Sequence, residues 1–124
     1  LCTPEEFPEA DQLFAVPMQV IPEQVEIDAR TYIVIVTRGS EVDVDGLPAL
    51  LKTQPAYIGL IGSRRRWEAT RQALLANGVS EDDLKRIKCP IGLDIHAETP
   101  DEIAISILAE IIARKNAPKN QPSR

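Results

Sequence analysis

Residues 31–37, Thr-Tyr-Ile-Val-Ile-Val-Thr, form a run with no charge, glycine or proline. β-branched and aromatic side chains favour extended backbone. The run has no polar alternation, so it predicts a strand buried on both faces, as in a parallel sheet covered by helices. A second apolar run, Tyr57 to Ile61, is short and bounded, as a core strand should be.

The residues just after the second run set the reading of function. Gly62 allows a tight turn because it lacks a Cβ. Ser63 is a good N-cap, since its hydroxyl can accept from a free N–H of the first helical turn. Arg64, Arg65 and Arg66 then fill that turn. A helix N-terminus already carries about half a positive charge, so three cations there are out of place. An anion bound at the turn resolves the conflict, because free N–H groups and guanidiniums would point at one negative charge. The competing reading is a solvated basic patch, or arginines paired with the chain's many acids.

With 124 residues the chain makes one domain, read as 1–114 with a polar tail over 115–124. At 44% hydrophobic it can build a core, and at 4% aromatic that core is aliphatic. The formal net charge of −5 argues against nucleic acid as partner, since phosphate-backbone binding wants a basic surface. Cys2 and Cys89 make neither a disulfide framework nor a metal-ligand spacing. A reducing cytoplasm is the default expectation. No apolar run approaches the roughly 18 residues of a membrane span, and no signal peptide is visible. The chain opens on Leu1 and reads as a fragment of something longer.

Taken in order, residues 1–12 predict a loop with a helical turn at Pro4–Phe7, and Leu13–Val16 a short edge strand. Residues 22–30 are a connection with a short helical turn. A helix is expected from Leu47 to Lys52, with Asp45 as N-cap and Pro48 in its first turn. The helix after Ser63 should run to Ala76, with Trp67, Thr70, Leu74 and Leu75 inward and Asn77-Gly78 ending it. Ser80-Glu81-Asp82-Asp83 starts a short helix that Lys85, Arg86 and Lys88 finish. Pro90–Ile95 reads as a short strand or extended segment. Thr99-Pro100-Asp101-Glu102 is a capping box. The helix behind it carries Ile103, Ala104, Ile107, Leu108, Ile111 and Ile112 as a wide stripe to pack on the sheet.

Alternating strands and helices give a parallel α/β sheet flanked by helices. Such sheets bind ligands outside the carboxyl ends of their strands. That rule gathers the loops 37–40, 62–65 and 94–96 at one crevice, and with them Arg38, the arginine turn, Asp94 and His96. His96, the chain's one histidine, is a candidate ligand contact or proton carrier, against a plain polar loop residue. Asp94 can hydrogen-bond a ligand hydroxyl or amide, or tie its loop by an Asx turn. Glu98, Asp101 and Glu102 are explained by capping, and Cys89 by a small apolar core role. No Ser/His/Asp set, Cys/His pair or metal cluster appears, which favours binding over catalysis.

The stretches Tyr-Ile-Gly-Leu-Ile-Gly-Ser-Arg-Arg (57–65) and Pro-Ile-Gly-Leu-Asp-Ile-His-Ala-Glu-Thr-Pro-Asp-Glu-Ile-Ala-Ile-Ser-Ile-Leu-Ala-Glu-Ile (90–111) closely resemble the C-terminal Rossmann domain of the XdhC/CoxI family. Thr3 to Asp11 resembles a further segment of it. These are the xanthine dehydrogenase accessory proteins. The resemblance implies a Rossmann-like parallel sheet lacking its first β-α-β unit. It implies binding of molybdenum cofactor, the pyranopterin phosphate or its nucleotide form. It implies protection of that cofactor, sulfuration with a cysteine desulfurase, and transfer to a molybdenum hydroxylase of the xanthine dehydrogenase type. Gly62, Ser63, Arg64 and Arg65 match the first motif; Gly92, Asp94 and Thr99 match the second. The missing upstream strand would leave a sheet edge open to homodimerisation or strand exchange. Two other readings stand beside this one: a fragment of an NAD(P)-dependent oxidoreductase, and an interaction module whose acidic surface docks a desulfurase or hydroxylase.

Overall fold

The structure, a computed structural model, describes residues 2–117. Their sheet has three parallel strands in sequential order: β1 (Tyr32–Ile35), β2 (Tyr57–Leu60) and β3 (Ile87–Lys88). Tyr32 to Ile35 stand in register with Tyr57 to Leu60, and Ile58 and Gly59 with Ile87 and Lys88. The helices are α1 (Ile21–Gln24), α2 (Ser40–Leu51), α3 (Arg64–Ala76), α4 (Glu81–Leu84) and α5 (Pro100–Lys115). Parallel strands flanked by helices make a Rossmann-like α/β fold.

The strand period of two divides the core. Ile33, Ile35, Ile58 and Leu60 face α2 and α3, where they pack with Leu47, Leu50 and Leu74. Tyr57 faces the other way and packs with Ile91 and Ile107, with Tyr32, Ile103 and Ile111 against them. Each fully buried aliphatic side chain of this kind contributes about 1.5–3 kcal/mol. Arg86 ties the helix layer to the sheet, donating to the carbonyls of Leu51 (2.8 Å) and Thr53 (2.7 Å) at the end of α2.

Several expectations hold. Ser63 caps α3 by accepting from the Arg66 amide at 3.1 Å, and Asn77 followed by Gly78 (φ 92°) ends it. Ser80 caps α4, and Thr99 with Glu102 closes the capping box of α5. The Pro4–Phe7 turn and the helical turn of α1 are present.

Others are corrected. Residues 13–16 form no strand; they run irregularly into Pro17, and Val16 lines an apolar groove of about 470 Å³ beside β1. α2 starts at Ser40, with Gly39 at its N-cap, rather than at Leu47 behind Asp45. Its inward positions are Asp43, Gly46, Leu47, Leu50 and Leu51, so the helical period is there but its first two members are not apolar. α4 stops at Leu84, because residues 87–88 are taken into the sheet as β3. Pro90–Ile95 is accordingly irregular rather than a strand.

The run 31–37 is not buried on both faces: Val34 in β1 is 39% exposed, and Val36 just beyond it 61%. α5 covers the sheet over β2, so the stripe divides. Ile103, Ile107 and Ile111 pack inward, while Leu108 and Ile112 stay exposed, as does Ile105. Lys115, read as the first tail residue, is the last residue of α5; 118–124 lie outside the described residues. Among the described residues no helix is long and apolar enough to cross a membrane.

Candidate functional site

The site grows from the end of β2. Gly62 sits at φ 143°, a conformation that L side chains rarely adopt, so the chain can turn there into α3. The Ser63 side chain and carbonyl accept from the Arg66 and Trp67 amides, which are thereby satisfied. The amides of Arg64 and Arg65 are the orphan donors of this helix start.

The three arginines divide. Arg66 donates to Asp43 Oδ2 at 3.1 Å and reaches the Thr37 carbonyl at 3.4 Å. Asp43 is fully buried and also accepts from the Thr37 hydroxyl. Pairing with an acid therefore explains Arg66. It does not explain Arg64 and Arg65, which are exposed and have no partner among the described residues. Two free amides and two free guanidiniums thus share one helical turn, the arrangement that an anion completes.

A cavity of about 620 Å³ opens beside this turn. Gly62 and Arg64 line it, and so do Gly92, Asp94 and His96, with Ile61, Leu93, Ile95 and Ile103 supplying apolar surface. Ser63, Arg65 and Arg38 do not line it; Arg38 is exposed one residue beyond Thr37, at the same end of the sheet. Asp94 and His96 are almost fully solvated, 3.9 Å apart, and His96 holds φ 57°, uncommon outside glycine.

Gly92 lines the cavity with its backbone already committed. It is buried, its amide donates to Glu110 Oε1 at 3.0 Å, and its carbonyl accepts from Lys88 Nζ at 3.2 Å. At φ 94° any side chain is strained, and a Cβ would strike Ser106 Oγ. Gly92 is therefore a fixed part of the cavity wall, where a larger residue does not fit.

Sequence reasoning missed the group that holds it. Glu110, 5% exposed, accepts from the Tyr57 hydroxyl and the Gly92 amide and pairs with Lys88 at 3.1 Å. Burial alone would raise its carboxyl, but the bonds from Tyr57, Gly92 and Lys88, with the Lys88 charge, hold it below the ordinary value. Burial and the Glu110 bond push the Tyr57 phenol up. The cue was an acid at an inward position of an otherwise apolar stripe. Cys89 is half-buried near the Gly62 carbonyl (3.9 Å), and burial pushes its thiol up, away from the reactive thiolate. Among the described residues no cluster of His, Cys, Asp and Glu could hold a metal ion.

A second cavity, about 250 Å³, lies at the amino end of β2 and is lined by Lys85, Arg86, Lys88 and Arg114. Arg86 and Lys88 are spent on carbonyls and acids, and Arg114 stacks over the Tyr57 ring at 5.1 Å.

Fold and site together define a Rossmann-type α/β domain with an anion-ready turn at the carboxyl end of its sheet. Residues 1–111 match the family described as the XdhC Rossmann domain, and the chain belongs to that family. It is 37% identical over 112 residues to a probable xanthine dehydrogenase subunit from Bacillus subtilis, covering 90% of this chain and 32% of that protein. It is 28% identical over 86 residues to the molybdenum cofactor insertion chaperone PaoD of Escherichia coli, covering 69% and 27%. A crystal structure of a xanthine dehydrogenase from Bacillus halodurans superposes with a TM-score of 0.75 at 32% identity, over 98% of this chain and 34% of the other. The chain spans between 21% and 32% of the length of the curated relatives it matches.

Proposed function

We propose that this chain carries the phosphate-anchoring part of a molybdenum cofactor site in a non-catalytic accessory protein of xanthine dehydrogenase-type enzymes. The observation that carries the reading is the pair Arg64 and Arg65, unpaired on a helix start whose first two amides are also free, with Arg64 lining the 620 Å³ cavity. The donor set suits a phosphate monoester. The apolar lining from Ile61, Leu93 and Ile95 suits the faces of a flat ring system. Asp94 offers a carboxylate to ring N–H donors. A pyranopterin phosphate, or its nucleotide form, has these three kinds of surface. The chain's residues would bind and orient it.

The same reading extends to the cell. The chain would work in the cytoplasm, support sulfuration of the cofactor with a cysteine desulfurase, and pass it to the hydroxylase. PaoD, a relative, is named for insertion of this cofactor. The uncovered edge and face of β1 support a homodimer as the working form.

The test is pterin content. The protein is incubated with molybdenum cofactor, freed of unbound ligand and oxidised, and the released pterin is read by fluorescence. Retention by the wild type and loss in Arg64→Ala plus Arg65→Ala is expected. Equal retention by the double variant sinks the site assignment. Retention of NAD(P) with no pterin favours the oxidoreductase alternative.

A further inference from the structure

The segment Pro90–Leu93 belongs to no strand, yet it carries the wall of the cavity. Two of its amides are held by backbone: Ile91 donates to Leu60 O and Leu93 to Ser106 O, each at 3.1 Å. The rest is held by two charged side chains. Lys88 Nζ donates to the carbonyls of Pro90 (2.8 Å) and Gly92 (3.2 Å), and Glu110 accepts from the Gly92 amide. These two side chains are paired with each other at 3.1 Å, and Glu110 is anchored from β2 by the Tyr57 hydroxyl. Arg114 stands over the Tyr57 ring on the same helix as Glu110.

Only the Glu110 side of this pair is buried, Lys88 keeping 36% side-chain exposure, and neither exposed nor buried ion pairs add much stability, so stability alone is a poor reason to build one here. What an apolar pair could not do is bind the N–H and the carbonyl of the same residue. Glu110 takes the Gly92 N–H while Lys88 takes the Gly92 carbonyl, which fixes the peptide planes on either side of the glycine. Leu93, Asp94, Ile95 and His96 continue from that point into the cavity lining.

We propose that Glu110, acting with Lys88, is a positioning residue for the candidate site. It fixes the loop that brings Asp94 and His96 into the lining with Arg64, without itself lining the cavity. The ligand arm of this proposal rests on the function proposed above; the loop arm does not. Lys88 lines the cavity, so Glu110 is the cleaner residue to change.

The experiment compares wild type, Glu110→Gln and Glu110→Leu. Amide hydrogen exchange is read in ligand-free protein at Gly92, Leu93 and, as a core reference, Leu74. A pterin phosphate is titrated by its own fluorescence. In Glu110→Leu, Gly92 and Leu93 should exchange about tenfold faster or more while Leu74 holds, and the pterin phosphate Kd should rise by a similar factor. Glu110→Gln keeps an acceptor and should fall between, which also covers failure of the leucine variant to fold. Unchanged exchange at Gly92 and Leu93, or a rise matched at Leu74, overturns the proposal. Faster loop exchange with unaltered pterin phosphate affinity also overturns it. If wild type binds no pterin phosphate while the exchange result stands, the cofactor reading fails and Glu110 remains the residue that positions the loop.

Discussion

Arg66 Nη2 donates to Asp43 Oδ2 at 3.1 Å, joining the first turn of α3 to the first turn of α2 beside the end of β1. The pair separates two jobs within three consecutive arginines. Arg66 locks the two helices together, and its neighbours are left for solvent or ligand.

Asp43→Ala should therefore be costly although it touches no proposed ligand. It strands the Thr37 hydroxyl and the Arg66 guanidinium. Because Arg66 keeps 29% side-chain exposure, the cost should fall below the full penalty for a broken buried pair, at about 2–3 kcal/mol. Urea denaturation checks this as a fall in midpoint at constant slope.

Arg64→Ala plus Arg65→Ala should behave in the opposite way. Removing cations from a helix N-terminus relieves an unfavourable interaction with the dipole. Both side chains are exposed, so stability should hold within about 0.5 kcal/mol or rise slightly. Loss of phosphate-dependent ligand binding in a fully folded variant, followed by circular dichroism and ligand titration together, is the expected pattern.

Gly92→Ala should displace the cavity wall. The φ of 94° and the contact with Ser106 both oppose a methyl group, at a combined cost of about 2–3 kcal/mol. Adding Ser106→Gly should recover part of this, because it removes the Oγ clash and leaves the strained φ and the tight approach to the α5 backbone. A thermal-melt series of the two single variants and the double reads the partial rescue.

Thr70→Val should stabilise. Thr70 is buried in α3 against the sheet, and its hydroxyl has no hydrogen-bond partner among the described residues. Replacing an unsatisfied buried hydroxyl by a methyl of similar shape should gain about 1 kcal/mol. For a domain of this size that is a rise of about 4 °C in Tm.

The Glu110 carboxyl titrates below its ordinary value of 4.5 in the folded chain. The unfolded chain thus binds more protons in the window between the depressed and the ordinary value, and stability rises with pH there. The contribution is complete above about pH 5 and is lost as acid carries the pH down through the depressed value. Glu110→Gln should flatten that part of the stability curve, measured by denaturant midpoints between pH 2.5 and 6 (a range of about two units around the carboxylate pKa).

The sequence made legible most of what was written in local chemistry, the start of α2 excepted. Ser63, Ser80 and Thr99 announce helix starts through the hydroxyl each must supply, and all three do so. Gly62 announces its turn for the same kind of reason. What stayed hidden depends on partners distant in the chain. Asp43 and Glu110 occupy inward helix positions where a hydrophobic reading sees a break. Each is inward because a cation 22 or 23 residues away, Lys88 or Arg66, meets it. β3 was not read because Ile87–Lys88 has too few residues to show a period, while the apolar residues of Pro90–Ile95 divide between the core (Ile91) and the cavity lining (Leu93 and Ile95). In the site, the arginine turn could be read, but which of its three arginines is spent on an acid required the fold.

The bare side of β1 bears on how the chain behaves in a concentrated solution. Thr31–Thr37 has no charge, glycine or proline to interrupt it, and among the described residues β1 pairs on one side only, beside exposed Val34 and Val36. Segments of this composition stack readily into fibrils when nothing covers them. Aggregation should therefore grow with protein concentration, and Val36→Lys should suppress it by placing charge just beyond the end of that strand.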